Sequence, residues 1–244
     1  MKTSVSSHIT IRGIIAYVFG ILFALCLILS LLITSVEAVA YWMPEYYENE
    51  YRKYQVAETV QMEMEDLLEV TDQMMAYLRG EREDLHITTV VGGQTREFFN
   101  DREIAHMEDV RGLFLGGLLL RSLCIRGAGL CLILLAAMRA RLSQVLPRSI
   151  CAGTGLFFLL ACILAAVIST DFTRYFTIFH QIFFDNDLWI LDPRTDLLIN
   201  IVPEPFFVDT AARIGLLFGG SVLILFAACF LWLYRQKRNH AAGA

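Results

Sequence analysis

Several signatures of soluble enzymes are missing from this chain. It has no His-Glu-x-x-His helix, no Gly-x-Ser-x-Gly turn, no phosphate-binding glycine loop and no paired Cys-x-x-Cys, which removes the common zinc-hydrolase, serine-hydrolase, nucleotide-binding and thiol-redox readings. Cysteine is missing from every polar stretch. Cys26, Cys124, Cys131, Cys151, Cys162 and Cys229 all fall within apolar runs, where they read as small packing residues rather than as disulfide partners or activated thiols. Acidic residues are missing from the segments that hold Lys2, Arg12, Arg139, Arg141, Arg148, Arg235, Lys237 and Arg238, because every Asp and Glu lies between Val36 and Arg111 or between Asp171 and Asp209.

What the chain has in abundance is apolar surface. Of its 244 residues 56% are hydrophobic, more than a soluble domain of this length carries. Four runs, at about 14–35, 112–138, 149–170 and 211–234, have the length of roughly 20 helical residues that a hydrocarbon core of about 30 Å requires. Lipid offers the backbone no other partner, so each must be a helix. The first run has a basic start and is followed by Ser-Val-Glu-Ala, as a secretory signal would be. It exceeds the apolar core of about 7 to 15 residues typical of a signal, and reads as a retained anchor.

With the amino terminus in the cytoplasm, the basic, acid-free segments all lie inside, which is the positive-inside pattern. Loops at about 36–111 and 171–210 then lie outside, and they hold every acidic residue behind the chain's net charge of −5. No basic face is left for nucleic acid. The expected fold class is an all-α membrane protein formed as a single integral domain. It has four transmembrane helices, cytoplasmic N- and C-termini, and a mostly helical extracytoplasmic cap with a small β-hairpin.

The first outer loop begins with an aromatic cluster, Tyr41, Trp42, Tyr46, Tyr47, Tyr51 and Tyr54, suited to a membrane surface. From Pro44 to Gly80 the spacing predicts helix: Val56, Val60, Met64, Leu67, Thr71, Met74 and Leu78 recur at steps of three and four, and Gly80 ends the pattern. Leu85 to Phe99, with Gly92-Gly93 at its centre, predicts a hairpin with a tight turn, and His86 at its start reads as a solvated loop residue. Asn100 followed three residues later by Glu103 is a reciprocal capping signal that starts a helix leading directly into the second span.

That helix carries His106 near the outer headgroup layer. Glu103 and Asp109 lie three residues to either side of it, a spacing from which a carboxylate can set the tautomer and basicity of an imidazole. Further along, Arg121 and Arg126 either set the depth and packing of the span or line a wet pocket between helices. In the second outer loop Phe172, Phe176, Phe179 and Phe183 form a helical stripe bordered by His180, as expected of an interfacial helix. Asp185-Asn186-Asp187 ends it, and Trp189 and Asp192-Pro193 follow. The histidines and scattered carboxylates show no spacing that favours a metal. Two histidines at the outer surface, beside acids and apolar walls, suit proton transfer, worth about two to four orders of magnitude in rate, at the depth of lipid esters.

The run Glu103-x-x-His106-Met107-x-Asp109-Val110, with Phe179-His180 through Phe183-Phe184, Trp189, Asp192, Asp196, Leu197 and Pro203 through Phe206-Phe207, resembles the bacterial lipoprotein intramolecular transacylase family, Lit. Four spans with a long first and a shorter second outer loop resemble it too, while Arg121 and Arg126 are outside the family's pattern. The resemblance implies an enzyme of the bacterial cytoplasmic membrane, active on the extracytoplasmic side, that moves the sn-2 acyl chain of a diacylglyceryl-cysteine to the α-amine of the same cysteine. It implies His106 and His180 as the catalytic pair, Glu103 or Asp109 as an orienting group, and Phe179, Phe183, Trp189 and Arg174 as candidates for the substrate pocket. The partners implied are a diacylated lipoprotein and membrane lipid, with no cofactor, metal or obligate protein partner. A different lipid esterase or acyltransferase, or a non-catalytic assembly factor, would share much of this sequence.

Overall fold

The computed structural model describes residues 11–242; Lys2, one of the residues used for orientation above, lies outside them. The chain is mostly helical. In order it forms α1 (Ile11–Glu37) with a π-helical end (Ala38–Trp42), α2 (Tyr46–Lys53), α3 (Val56–Val60), α4 (Met64–Arg79), β1 (Thr88–Val91), β2 (Gln94–Glu97), α5 (Asp101–Ala137), α6 (Leu142–Ile168), α7 (Phe172–Phe183), α8 (Leu198–Ile201) and α9 (Glu204–Ala242). Among the described residues four helices are long and apolar enough to cross a membrane: α1 with its π-helical end, α5, α6 and α9.

The fold divides into two compact units. One comprises the chain up to Ile33, Leu120–Leu164, and the chain from Leu217. Its buried contacts are few: Ala16, Leu135 and Val145 form one cluster, and Ile28, Phe218 and Val222 another. Its helices otherwise face outward with large apolar side chains such as Ile133 (66% exposed) and Ile224 (73% exposed), surface of the kind a membrane covers. Gly20 permits the close approach of α1 and α6, since a Cβ there would lie 2.3 Å from Ser149 Oγ. Basic side chains tie helix ends together: Arg12 donates to the Met138 carbonyl, and Arg148 to Tyr17 Oη at 3.0 Å. Arg126 folds back one turn onto Ser122, donating to its Oγ at 2.9 Å, so this charge is met within its own helix.

The other unit, Thr34–Leu119 with Ala165–Leu216, contains the larger core. Leu67, Val70, Met74 and Leu78 of α4 pack with Tyr51, Val56, Phe98, Phe99, Ile201 and Phe206. Thr71, on the same buried stripe, donates to Leu67 O at 2.8 Å and accepts from Tyr51 Oη at 2.7 Å, which is how a polar group is tolerated there. The helical spacing from Pro44 to Gly80 is realised as three helices rather than one. The breaks fall at Gln55 (φ 52°) and Gln61 (φ 55°), left-handed positions occupied without a glycine; Gln61 is held there by Met62 N donating to Ala57 O at 2.9 Å. Gly80 (φ 81°) ends α4 with the Glu81 amide on Ala76 O at 2.9 Å, a Schellman-type stop.

The hairpin pairs Thr88 with Glu97 and Val91 with Gln94. Gly92 and Gly93 both have positive φ, 59° and 75°, as a two-residue type I′ turn requires. The Gly92 amide donates to Gln61 O at 2.9 Å, so the turn is docked on the break between α3 and α4. His86 is exposed, 3.9 Å from the Glu97 carboxylate.

Candidate active site at the start of the fifth helix

The site rests on the capped end of α5. Asn100 Oδ1 accepts from the amides of Arg102 (2.9 Å) and Glu103 (3.0 Å), and Glu103 Oε2 accepts from Asn100 N at 2.7 Å, completing the reciprocal capping box. Glu103 Oε1 reaches across the fold to accept from Leu198 N at 2.6 Å. Asn100 Nδ2 donates to Asp196 Oδ1 at 2.9 Å. Burial opposes charge on Asp196, but bonds from the Asp192 amide, Asn100 and Thr195 outweigh it and hold the carboxyl below its ordinary range. The first turn of α5 is thereby welded to the start of α8 and the residues just before it.

One turn along, His106 is 7% exposed, and His180, borne by α7, is 8% exposed. Their ring centroids lie 6.1 Å apart with planes at 33°. Phe184 closes one side, edge-on to His106 at 5.2 Å and tilted against His180 at 5.5 Å. Phe176 meets His180 edge-on at 4.4 Å, and Trp189 stacks on it at 4.9 Å. The pair sits in an aromatic box.

The protonation of His180 follows from its backbone contact. Its Nδ1 lies 2.7 Å from Phe176 O, and a carbonyl only accepts, so Nδ1 carries the hydrogen. In the neutral ring Nε2 then has the free lone pair. Burial lowers the His180 pKa from the ordinary histidine value, against the bond to Phe176, which favours the charged form. His106 Nδ1 is buried with no hydrogen-bond partner. Such a vacancy costs roughly 1–3 kcal/mol and is the kind of orphaned group that marks a functional site.

The structure brings together His106, His180, Trp189 and the edge of Phe179, whose ring is 5.5 Å from His180. Glu103 and Asp109 are close in sequence but engaged elsewhere: both Glu103 oxygens accept backbone amides, and Asp109 Oδ2 accepts from Asn186 Nδ2 at 2.8 Å. Phe183 is tilted against Phe179 at 4.7 Å and is 49% exposed. Arg174 is exposed, and its amide caps α7 on Asp171 at 3.0 Å. Sequence reasoning missed Asn186 and the Phe176 carbonyl. The first stood within the Asp-Asn-Asp helix stop, and the second is a backbone group with no sequence signal.

Comparison with known proteins gives the site its context. The model of the family "Lipoprotein intramolecular transacylase Lit" matches residues 21–207. In fold the chain is similar to the in meso structure of the membrane integral lipoprotein intramolecular transacylase Lit from Bacillus cereus, with a TM-score of 0.78 and 20% identity, over 93% of this chain and 99% of that one. Structures of the same Bacillus cereus protein with a histidine changed to alanine or to arginine give TM-scores of 0.74 and 0.72, each at 20% identity over 93% of this chain, and cover 97% and 96% of theirs. No curated protein matches by sequence. At that identity the structures establish the fold, while the family match spans most of the chain: this is a multi-pass membrane acyltransferase that belongs to the lipoprotein intramolecular transacylase family, Lit.

Proposed function

We propose that the chain moves the sn-2 acyl group of a diacylglyceryl-cysteine onto the α-amine of the same cysteine, leaving an N-acyl lyso-form lipoprotein, and that His106 and His180 share the proton transfers. The observation that carries this reading is the convergence of two buried imidazoles from different helices, one with its tautomer fixed and the other with a nitrogen unpartnered. His180 Nε2 takes the proton from the amine as nitrogen attacks the ester carbonyl. His106 donates to the oxygen that becomes negative, and the glycerol oxygen leaves with the proton that nitrogen lost, so one C–N bond forms as one C–O bond breaks. Donor and acceptor are parts of one molecule, and holding them together supplies much of the acceleration. Phe179, Phe183 and Trp189 offer apolar surface for acyl chains, with Arg174 at the rim for polar groups.

The same proposal places the N- and C-termini in the cytoplasm, the spans at about 14–35, 112–138, 149–170 and 211–234, and the site on the extracytoplasmic side. It is supported by the acid-free basic segments at Arg12, Arg139, Arg141, Arg148, Arg235, Lys237 and Arg238. The test is mass spectrometry of the N-terminal lipopeptide of a reporter lipoprotein, made in a diacyl-lipoprotein host with this protein or its His106→Ala or His180→Ala form. An unchanged mass with one chain moved from glycerol to the amine, lost in both variants, is the expected result. Loss of one acyl mass would mean hydrolysis, and activity retained in either variant would remove the pair.

A further inference from the structure

Asn186 lies in the exposed stretch between α7 and Trp189, and three of its polar groups are in use. Its Nδ2 donates to Asp109 Oδ2 at 2.8 Å, its Oδ1 accepts from Leu188 N at 3.0 Å, and its backbone carbonyl accepts from Trp189 Nε1 at 2.9 Å. Trp189 in turn stacks on His180, 4.9 Å between centroids with planes at 30°. A continuous path therefore runs from α5, one turn after His106, through Asp109 and Asn186 to the wall behind His180. Helix spacing puts Asp109 and His106 on neighbouring positions of one face. The segment has a separate tether, since Arg102 donates to Asp187 O, and Asn186 is absent from the buried core.

We propose that Asn186 is a positioning residue for the histidine pair, holding Trp189 against His180 from Asp109 so that the direction of His180 Nε2 is fixed relative to His106. This rests on the histidine reading above. The Phe176 carbonyl fixes where one nitrogen of His180 points; the stacked indole fixes the plane of the ring about that bond. Both restraints are needed to aim Nε2, and a misplacement of 1 Å can cost about 100-fold in rate.

The experiment uses the full chain with Trp42→Phe and Trp232→Phe, which leaves Trp189 as the only one of the 3 tryptophans. A protonated imidazole stacked on indole quenches its emission. The parent should show a quenching step with a midpoint below the 6.5 of free histidine, and both His180→Ala and Asn186→Ala should abolish it. With a diacylated lipopeptide, Asn186→Ala and Asn186→Asp should lower kcat about 10-fold while KM stays within about 3-fold. Asn186→Asp faces Asp109 with a second carboxylate; adding Asp109→Asn exchanges amide and carboxylate and should restore kcat to within about 3-fold of the parent. A quenching step unchanged in Asn186→Ala, kcat unchanged in both single variants, or a double variant no better than Asn186→Asp would overturn the proposal. If instead His180→Ala stays active, the histidine reading fails, while the emission of the Asn186→Ala protein still decides whether Asn186 holds the indole.

Discussion

Replacing Glu103 with Gln separates two roles that its place in sequence leaves open: a carboxylate acting on His106, or a carboxylate tying the start of α5 to the first residue of α8. Glu103 is 1% exposed. Its oxygens accept from Asn100 N at 2.7 Å and Leu198 N at 2.6 Å. Gln keeps the shape and one oxygen but turns an NH2 group towards the other amide. One hydrogen bond to a charged group, worth about 1.5–3 kcal/mol, is lost, and a buried N–H is left facing a donor. A destabilisation of about 2–4 kcal/mol follows, read as a fall in midpoint in denaturant or heat in detergent micelles. The His106 and His180 rings are untouched, so the folded enzyme assayed well below that midpoint should keep kcat within about 10-fold of the parent. An unchanged midpoint with kcat down by about 100-fold or more would refute the reasoning and return Glu103 to a direct role on His106.

Alanine at His106 or His180 should each lower kcat by about 100- to 10,000-fold with little loss of folded protein, and the double variant should be scarcely worse than either single one, as measured by lipopeptide turnover. The acid limb of the rate profile should have its midpoint below 6.5: burial lowers the pKa of His180, the neutral base persists to lower pH than free imidazole allows, and rate is lost only as pH falls through the lowered value. A midpoint above 6.5 would count against His180 as the base. Asp196 behaves in the same direction for stability. Its carboxyl is held below the ordinary range, so its contribution is complete above the unfolded value and is lost as pH falls through the folded one, and Asp196→Asn should flatten that acid loss in thermal scans. Gly20→Ala should destabilise by about 1–3 kcal/mol, because the new Cβ would sit 2.3 Å from Ser149 Oγ. Ser149→Ala in the same chain should recover part of the loss, at little cost of its own, since that hydroxyl has no partner.

Features set by neighbours in sequence were legible before the structure. The Asn100 and Glu103 capping pair, the Gly92-Gly93 turn and the Gly80 stop each depend on a few adjacent residues, and each formed as its chemistry requires. The apolar runs were equally plain. The division of the Pro44–Gly80 stretch was hidden because Gln55 and Gln61 adopt positive φ under tertiary contacts rather than by their own preference. The partners of Glu103 and Asp109 were hidden for a related reason. Helix spacing suggested His106 for both, but the groups that win, Leu198 N and Asn186 Nδ2, come from 95 and 77 residues away. The pairing of His106 with His180 was legible only as two surface histidines beside apolar walls, whereas the tautomer of His180 is set by a backbone carbonyl that no residue type announces.

Helix α7 turns His180 inward while Phe179 (44% exposed), Ile182 (70%) and Phe183 (49%) face out. Under the proposed function, a helix so divided has one side for chemistry and the other for hydrocarbon. On that reading a lipid-anchored substrate would approach sideways, without leaving the bilayer or being wetted on the way. Under the proposed function its concentration is a surface density: diluting it with inert phospholipid at constant bulk amount slows the reaction, whereas diluting the vesicles in buffer leaves the rate per enzyme unchanged.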